Sequence, residues 1–132
     1  MNRKGFTLVE LLMVVIIIGI LVTLAVPNYY RSVERAKGGK ARGGMDAIRK
    51  AELQYRGAHD IYTNALADLE TYDLPNDILD DGSDGDWTYT ITTADETNLE
   101  VTATRDAGPY GTSTITMNQD GSVDAGTVAE WQ

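Results

Sequence analysis

The sequence predicts an α+β fold in which one long N-terminal helix packs on a small antiparallel β-sheet of three or four strands. Three observations carry the prediction. An apolar run over residues 6–26 passes into a segment whose apolar residues recur at helical spacing as far as residue 56. From Trp87 the period switches to two, with threonine in alternate positions. Between these stretches the chain is polar and rich in Asp and Gly, as connections are.

Charge is segregated along the same divisions. A leader at 1–5 carries Arg3 and Lys4, and residues 6–30 hold a single charged side chain, Glu10. Residues 31–56 carry a net +5 and residues 57–132 a net −15, within a total of −9. The chain therefore divides into a short basic leader (1–5), a hydrophobic helix (6–30), an amphipathic stem (31–56) and an acidic globular head (57–132). This order does not suit an ordinary soluble enzyme. The acidic head would repel phosphate, which argues against nucleic acid as a partner. The absence of cysteine excludes disulfide staples, thiolate metal sites and a Cys nucleophile. With His59 as the one imidazole, no catalytic constellation is visible, and the chain is read as a non-enzyme.

As a helix, residues 6–26 would be about 31 Å long, which matches a bilayer core. The run is apolar on all sides, unlike the helix of a small soluble domain. A cleaved secretory signal needs small residues after the run, but Pro27, Tyr29 and Tyr30 stand there instead. A carboxylate within hydrocarbon costs several kcal/mol unless it is paired, so Glu10 is a functional candidate, the alternative being a headgroup-level charge. Counting positive charges gives Arg3 and Lys4 before the run but Arg31, Arg35, Lys37 and Lys40 after it. Taken alone, that count would keep the head in the cytoplasm.

In the stem, Gly44, Ile48, Ala51 and Tyr55, with Met45 beside them, fall on one helical face. Arg42, Asp46, Arg49, Lys50 and Arg56 lie opposite. Gly38-Gly39 and Gly43-Gly44 each cost a helix nearly 1 kcal/mol per glycine against alanine. Either tertiary packing holds such a helix together, or the glycines serve flexibility or close approach of neighbouring stems. The basic stem suits anionic lipid headgroups and acidic neighbours better than DNA.

In the head, a short helix is expected at 64–71 with Asn64 as its cap. Asp80 to Asp86 reads as an acidic, turn-rich loop. Its carboxylates, Asp80, Asp81, Asp84 and Asp86, are candidate Ca²⁺ ligands. Their spacing lacks the EF-hand order, so a solvated loop is expected and no cofactor is assigned. Strands follow at 87–92, 99–104 and 114–117, with a short fourth near Ser122-Val123. Trp87, Tyr89, Ile91, Leu99, Val101, Ala103, Ile115 and Met117 share one face, which can bury itself on Ile48, Ala51 and Tyr55.

The segment MNRKG-FTLVE, the apolar run and Pro27 together resemble the prepilin-type signal of the type IV pilin and type II secretion pseudopilin family. The resemblance covers residues 3–30. It implies cleavage between Gly5 and Phe6 by a prepilin peptidase, N-methylation of Phe6, and pairing of Glu10 with the Phe6 amine of a neighbouring subunit. It implies that Gly19 to Pro27 can lose helix in an assembled filament, while an isolated subunit keeps an intact, gently bent helix. The implied partners are identical subunits in a helical filament, an inner-membrane platform and an assembly ATPase. The implied location is the inner membrane for the precursor and the cell surface for the filament. A long helix on one antiparallel sheet is the pilin architecture, so the head agrees with the signal.

The resemblance favours a type IV pilus subunit serving adhesion, motility or surface attachment. The rival within the family is a major pseudopilin of a type II secretion system. Those bodies resemble this one less, because Ile61-Tyr62-Thr63 lacks their proline and no calcium loop is evident. The missing disulfide departs from the best-known pilins and leaves packing alone to hold the C-terminal end. Outside the family, the rival is a signal-anchored monomeric binding module that keeps residues 1–5.

Overall fold

The computed structural model describes residues 5–132. Apart from Gly5, the predicted leader lies outside the described residues. One helix, α1, runs from Leu8 to His59. At 1.5 Å per residue its 52 residues extend about 78 Å. Asp60 closes it in the left-handed conformation, φ 61°, with its N–H on the Arg56 carbonyl. The helix passes through Gly19 and Pro27 without interruption. Pro27 has no N–H for the carbonyl of Thr23. Side chains add bonds to carbonyls on either side of that gap, from Thr23 Oγ1 to Ile20 O at 2.7 Å and from Asn28 Nδ2 to Leu24 O at 3.3 Å.

The connection differs from its prediction in two places. In place of a helix over 64–71 there is a 3-10 helix, Leu66–Leu69, and Asn64 does not cap it. Thr63 controls this entry instead: its hydroxyl accepts from the Ala65 N–H and donates to Asp68, so the turn begins later. A second helix, α2, spans Asn76–Asp81, where the acidic loop was expected to begin. The Pro75 carbonyl accepts from both Ile78 and Leu79, and Gly82 ends the helix at φ 73°. Proline ahead and glycine behind is the asymmetry of a short helix. Burial of Ile78 and half-burial of Leu79 hold it to the body.

The sheet is an antiparallel meander of β1 (Trp87–Ala94), β2 (Leu99–Arg105), β3 (Thr114–Asn118) and β4 (Val123–Asp124), in that spatial order. Tyr89 pairs with Ala103 and Ala103 with Ile115, so the predicted apolar face is continuous across three strands. A bulge between Ile91 and Thr93 shifts the register, after which Ala94 pairs with Leu99. The inner face packs on Ala41, Met45, Ile48 and Ala51 of α1, all essentially buried. Threonines take the outer face.

The C-terminal end is held by packing, since the chain has no cysteine. Trp131 is fully buried, meets Trp87 edge-on at 4.8 Å and Tyr110 at 5.6 Å, and lies against Gly38. Arg42 donates to the Trp131 backbone carbonyl, and Arg49 to that of Gln119 at 3.4 Å. These arginines were predicted to face away from the core. They stand instead beside the buried stripe of Ala41, Met45 and Ile48, half-buried, from where their long side chains reach carbonyls of the body.

Candidate assembly site

Nothing in the body covers the first half of α1. Within it an 18-residue window of mean hydropathy 3.0 is 0% buried, which makes the helix long and apolar enough to cross a membrane. Every large apolar side chain from Leu8 to Val26 is exposed, and Phe6 just ahead of the helix is 89% exposed. Buried positions on α1 begin only at Glu34. An apolar face this large and this bare marks a surface for contact with membrane or protein.

The structure gives Glu10 an intramolecular partner that the pairing expectation did not include. Thr7 caps α1, its hydroxyl accepting from the Glu10 N–H at 3.2 Å. Glu10 Oε2 accepts in return from the Thr7 N–H and hydroxyl, both at 2.8 Å. This is the reciprocal capping box of a Thr-x-x-Glu sequence, and Thr7-Leu8-Val9-Glu10 states it openly. Glu10 therefore satisfies the helix N-terminus through Oε2, and among the described residues its other oxygen makes no hydrogen bond. Gly5 and Phe6 precede the cap, exposed and outside any regular secondary structure.

The four stem glycines separate into two kinds. Gly38 lies against the indole of Trp131 and Gly44 against the phenol of Tyr89, where a Cβ would collide with either ring. Gly39 and Gly43 meet nothing within 4 Å and lie on the exposed side of the helix. Packing within the subunit explains the first pair and not the second.

The acidic loop is fastened to the stem. Lys40 contacts Asp84 at 3.2 Å and Asp86 at 3.1 Å, and Lys37 contacts Asp86 at 3.2 Å. Asp84 also accepts from the Tyr89 hydroxyl at 2.7 Å and from the N–H groups of Asp86 and Trp87. Partial burial pushes the Asp84 carboxyl up, but these donors and Lys40 hold it below the usual carboxylate range. Asp86 is held low in the same way by Lys40 and Lys37. Behind the loop, Arg105 is buried over Trp87, donates to the Asp86 carbonyl at 2.7 Å and faces Glu34 at 3.5 Å. The candidate Ca²⁺ ligands thus do not converge: Asp80 and Asp81 stand on α2, while Asp84 and Asp86 face lysines and backbone N–H groups. Among the described residues no group of three or more His, Asp and Glu side chains is placed to hold a metal ion.

One buried polar group, Glu52, was not legible in the sequence, and His59 was. Glu52 is fully buried and its Oε2 accepts from the Thr63 N–H at 3.0 Å. Burial raises its pKa to about 7, opposed by the Thr63 bond and reinforced by Asp68. His59 sits on the exposed end of α1, stacked on Tyr55 at 4.1 Å with Nδ1 on the Tyr55 carbonyl. That contact finishes the helix.

Comparison with known proteins bears on this arrangement. Residues 1–26 match the family model of the prokaryotic N-terminal methylation motif. The chain is 38% identical over 63 residues to the type IV major pilin protein PilA of Myxococcus xanthus, covering 48% of this chain and 29% of that protein. It is 34% identical over 71 residues to the competence protein ComGC of Bacillus subtilis, covering 54% of this chain and 72% of that protein. It is 37% identical over 69 residues to the type II secretion system core protein G of Pseudomonas aeruginosa, covering 52% and 49%. The chain thus spans less than a third of the first of these relatives and about half of the last. This chain carries the methylation motif at its head and a bare apolar helix behind it, and its relatives are drawn from pili, competence and secretion: the chain belongs to the type IV pilin and type II secretion pseudopilin family.

Proposed function

We propose that the chain is the structural subunit of a type IV pilus, stored in the inner membrane and polymerised through the first half of α1. The observation that carries this reading is the bare apolar half of α1 beside a body whose core closes without it. Cleavage between Gly5 and Phe6 would place a positive amine beside the capping box, and methylation of Phe6 would follow. In a filament, Oε1 of Glu10 would take the amine of a neighbour in a core of low dielectric, where opposite charges attract strongly. Gly39 and Gly43 support the same reading, because they lower helix stability without any packing return inside the subunit. The role is assembly and not catalysis. A prepilin peptidase, a platform protein and an assembly ATPase are the implied partners, and the cell surface is the destination.

The second reading, a major pseudopilin, stays open through the similarity to core protein G. The pilus is favoured over it because Ile61-Tyr62-Thr63, just after the stem, lacks the proline expected of pseudopilin bodies. Imaging of cells with and without the gene separates the two: long surface filaments that vanish with the gene support the pilus, and loss of secretion with no change in filaments supports the pseudopilin. Mass spectrometry of the mature N-terminus is the prior test. A methylated Phe6 start is expected, and a start at Met1 overturns both readings in favour of an anchored monomeric module.

A further inference from the structure

Where α1 leaves the apolar run it carries a collar of four side chains. Tyr29 and Tyr30 are 67% and 64% exposed, with their rings edge-on at 6.1 Å. Arg31 and Arg35 follow, both exposed and four positions apart on one face. The stretch from Leu8 to Val26 covers about 28 Å as a helix, close to a hydrocarbon core of about 30 Å. The tyrosines then fall at the interface, where a ring with one wet end is favoured. Because Cα–Cβ bonds tilt toward a helix N-terminus, both arginine side chains reach back toward the same plane.

What sets these arginines apart is the fate of the other stem cations. Lys37 and Lys40 are taken by Asp84 and Asp86. Arg42 is taken by the Trp131 carbonyl, and Arg49 and Lys50 by Asp46. Arg56 lies over the Tyr62 ring. Arg31 and Arg35 make no ion pair or side-chain hydrogen bond among the described residues. Glu34, between them in sequence, is turned inward against Arg105. Arg31 lines a shallow cleft with Tyr30, Pro109 and Tyr110, and two acids, the inward-turned Glu34 and half-buried Glu130, line it as well.

We propose that Arg31 and Arg35, flanked by Tyr29 and Tyr30, bind the phosphate of anionic phospholipids in the leaflet from which the body emerges. The inference rests on the reading that the first half of α1 spans a bilayer. A guanidinium presents a fork of donors that fits phosphate oxygens, and an anionic surface attracts basic groups within a Debye length of it.

The test uses the full chain in nanodiscs of equal phosphatidylglycerol and phosphatidylcholine, with retained lipids counted by native mass spectrometry. Phosphatidylglycerol should be retained in several-fold excess. The double variant Arg31→Gln with Arg35→Gln should bring the two lipids to parity, and Lys37→Gln with Lys40→Gln should leave the excess in place. Parity on the unaltered chain, an excess that survives loss of both arginines, or an excess lost with the lysines overturns the inference. A chain that fails to enter the discs overturns the membrane reading itself, which parity from an inserted chain would not.

Discussion

Gly44 packs against the phenol ring of Tyr89 so closely that a single added methyl group would overlap it, whereas Gly43 touches nothing. The contact lets the Tyr89 hydroxyl reach Asp84 at 2.7 Å, and Asp84 in turn holds Lys40. One glycine therefore joins the stem, the sheet and the acidic loop, while its neighbour is left for something outside the subunit.

The core draws on residues from Glu34 onward, so residues 31–132 should form a soluble monomer with the α+β fold retained. Circular dichroism and sedimentation of that fragment check this. An unfolded spectrum or dependence on detergent would show that the apolar segment contributes to folding.

Within that fragment the glycines should respond with opposite signs. Gly44→Ala should destabilise by about 1–3 kcal/mol, because an inserted methyl group forces the ring away from its bond. Gly39→Ala and Gly43→Ala should each stabilise by up to about 1 kcal/mol through helix propensity. Urea denaturation reads both effects. Filament yield from full-length Gly39→Ala and Gly43→Ala should fall despite the gain in stability.

Asp84→Asn should lower stability by about 2–3 kcal/mol, since a nearly buried carboxylate then stops receiving a lysine, a tyrosine hydroxyl and two backbone N–H groups as an anion. The substitution should also release the loop, which proteolysis between Gly82 and Asp86 would report.

Glu52 makes stability fall as pH rises. The folded carboxyl keeps its proton to about pH 7, while an unfolded glutamate releases it near 4.5. Between those values the folded state binds more protons, so stability declines, by about 3 kcal/mol at most at 1.36 kcal/mol per pH unit. Glu52→Gln keeps an acceptor for the Thr63 N–H and should flatten the profile over that window. Asp84 and Asp86 act in the opposite direction. Their lowered values stabilise the fold above about pH 4 and lose that contribution as the pH drops further.

Glu10→Ala removes a costly carboxylate from the membrane, so the stored pool should be undiminished while sheared filaments fall sharply. Glu10→Asp should be intermediate, with the charge kept and the reach shortened. Thr7→Ala should loosen the helix start by about 1 kcal/mol and leave the charge in place. Filament yield set against subunit in membranes separates these outcomes, and normal filaments from Glu10→Ala would return Glu10 to its capping role alone.

Periodicity carried the large features because it reports what each stretch of chain must hide. The all-round apolar run, the helical spacing through Tyr55 and the period of two from Trp87 specified a bare helix, a stem and a one-faced sheet from local pattern alone. The prepilin-type signal was legible as a local motif, and the Thr7–Glu10 cap lies in the Thr-x-x-Glu spacing beside it. Short α2 was not legible, because six residues form a helix only when burial of Ile78 and Leu79 favours it. Nor could the sequence separate Gly38 from Gly39, or Lys37 from Arg35. Members of each pair have similar local surroundings and equal propensity. They differ in whether Trp131 or Asp86, distant along the chain, comes to rest against them, and only the folded body decides that.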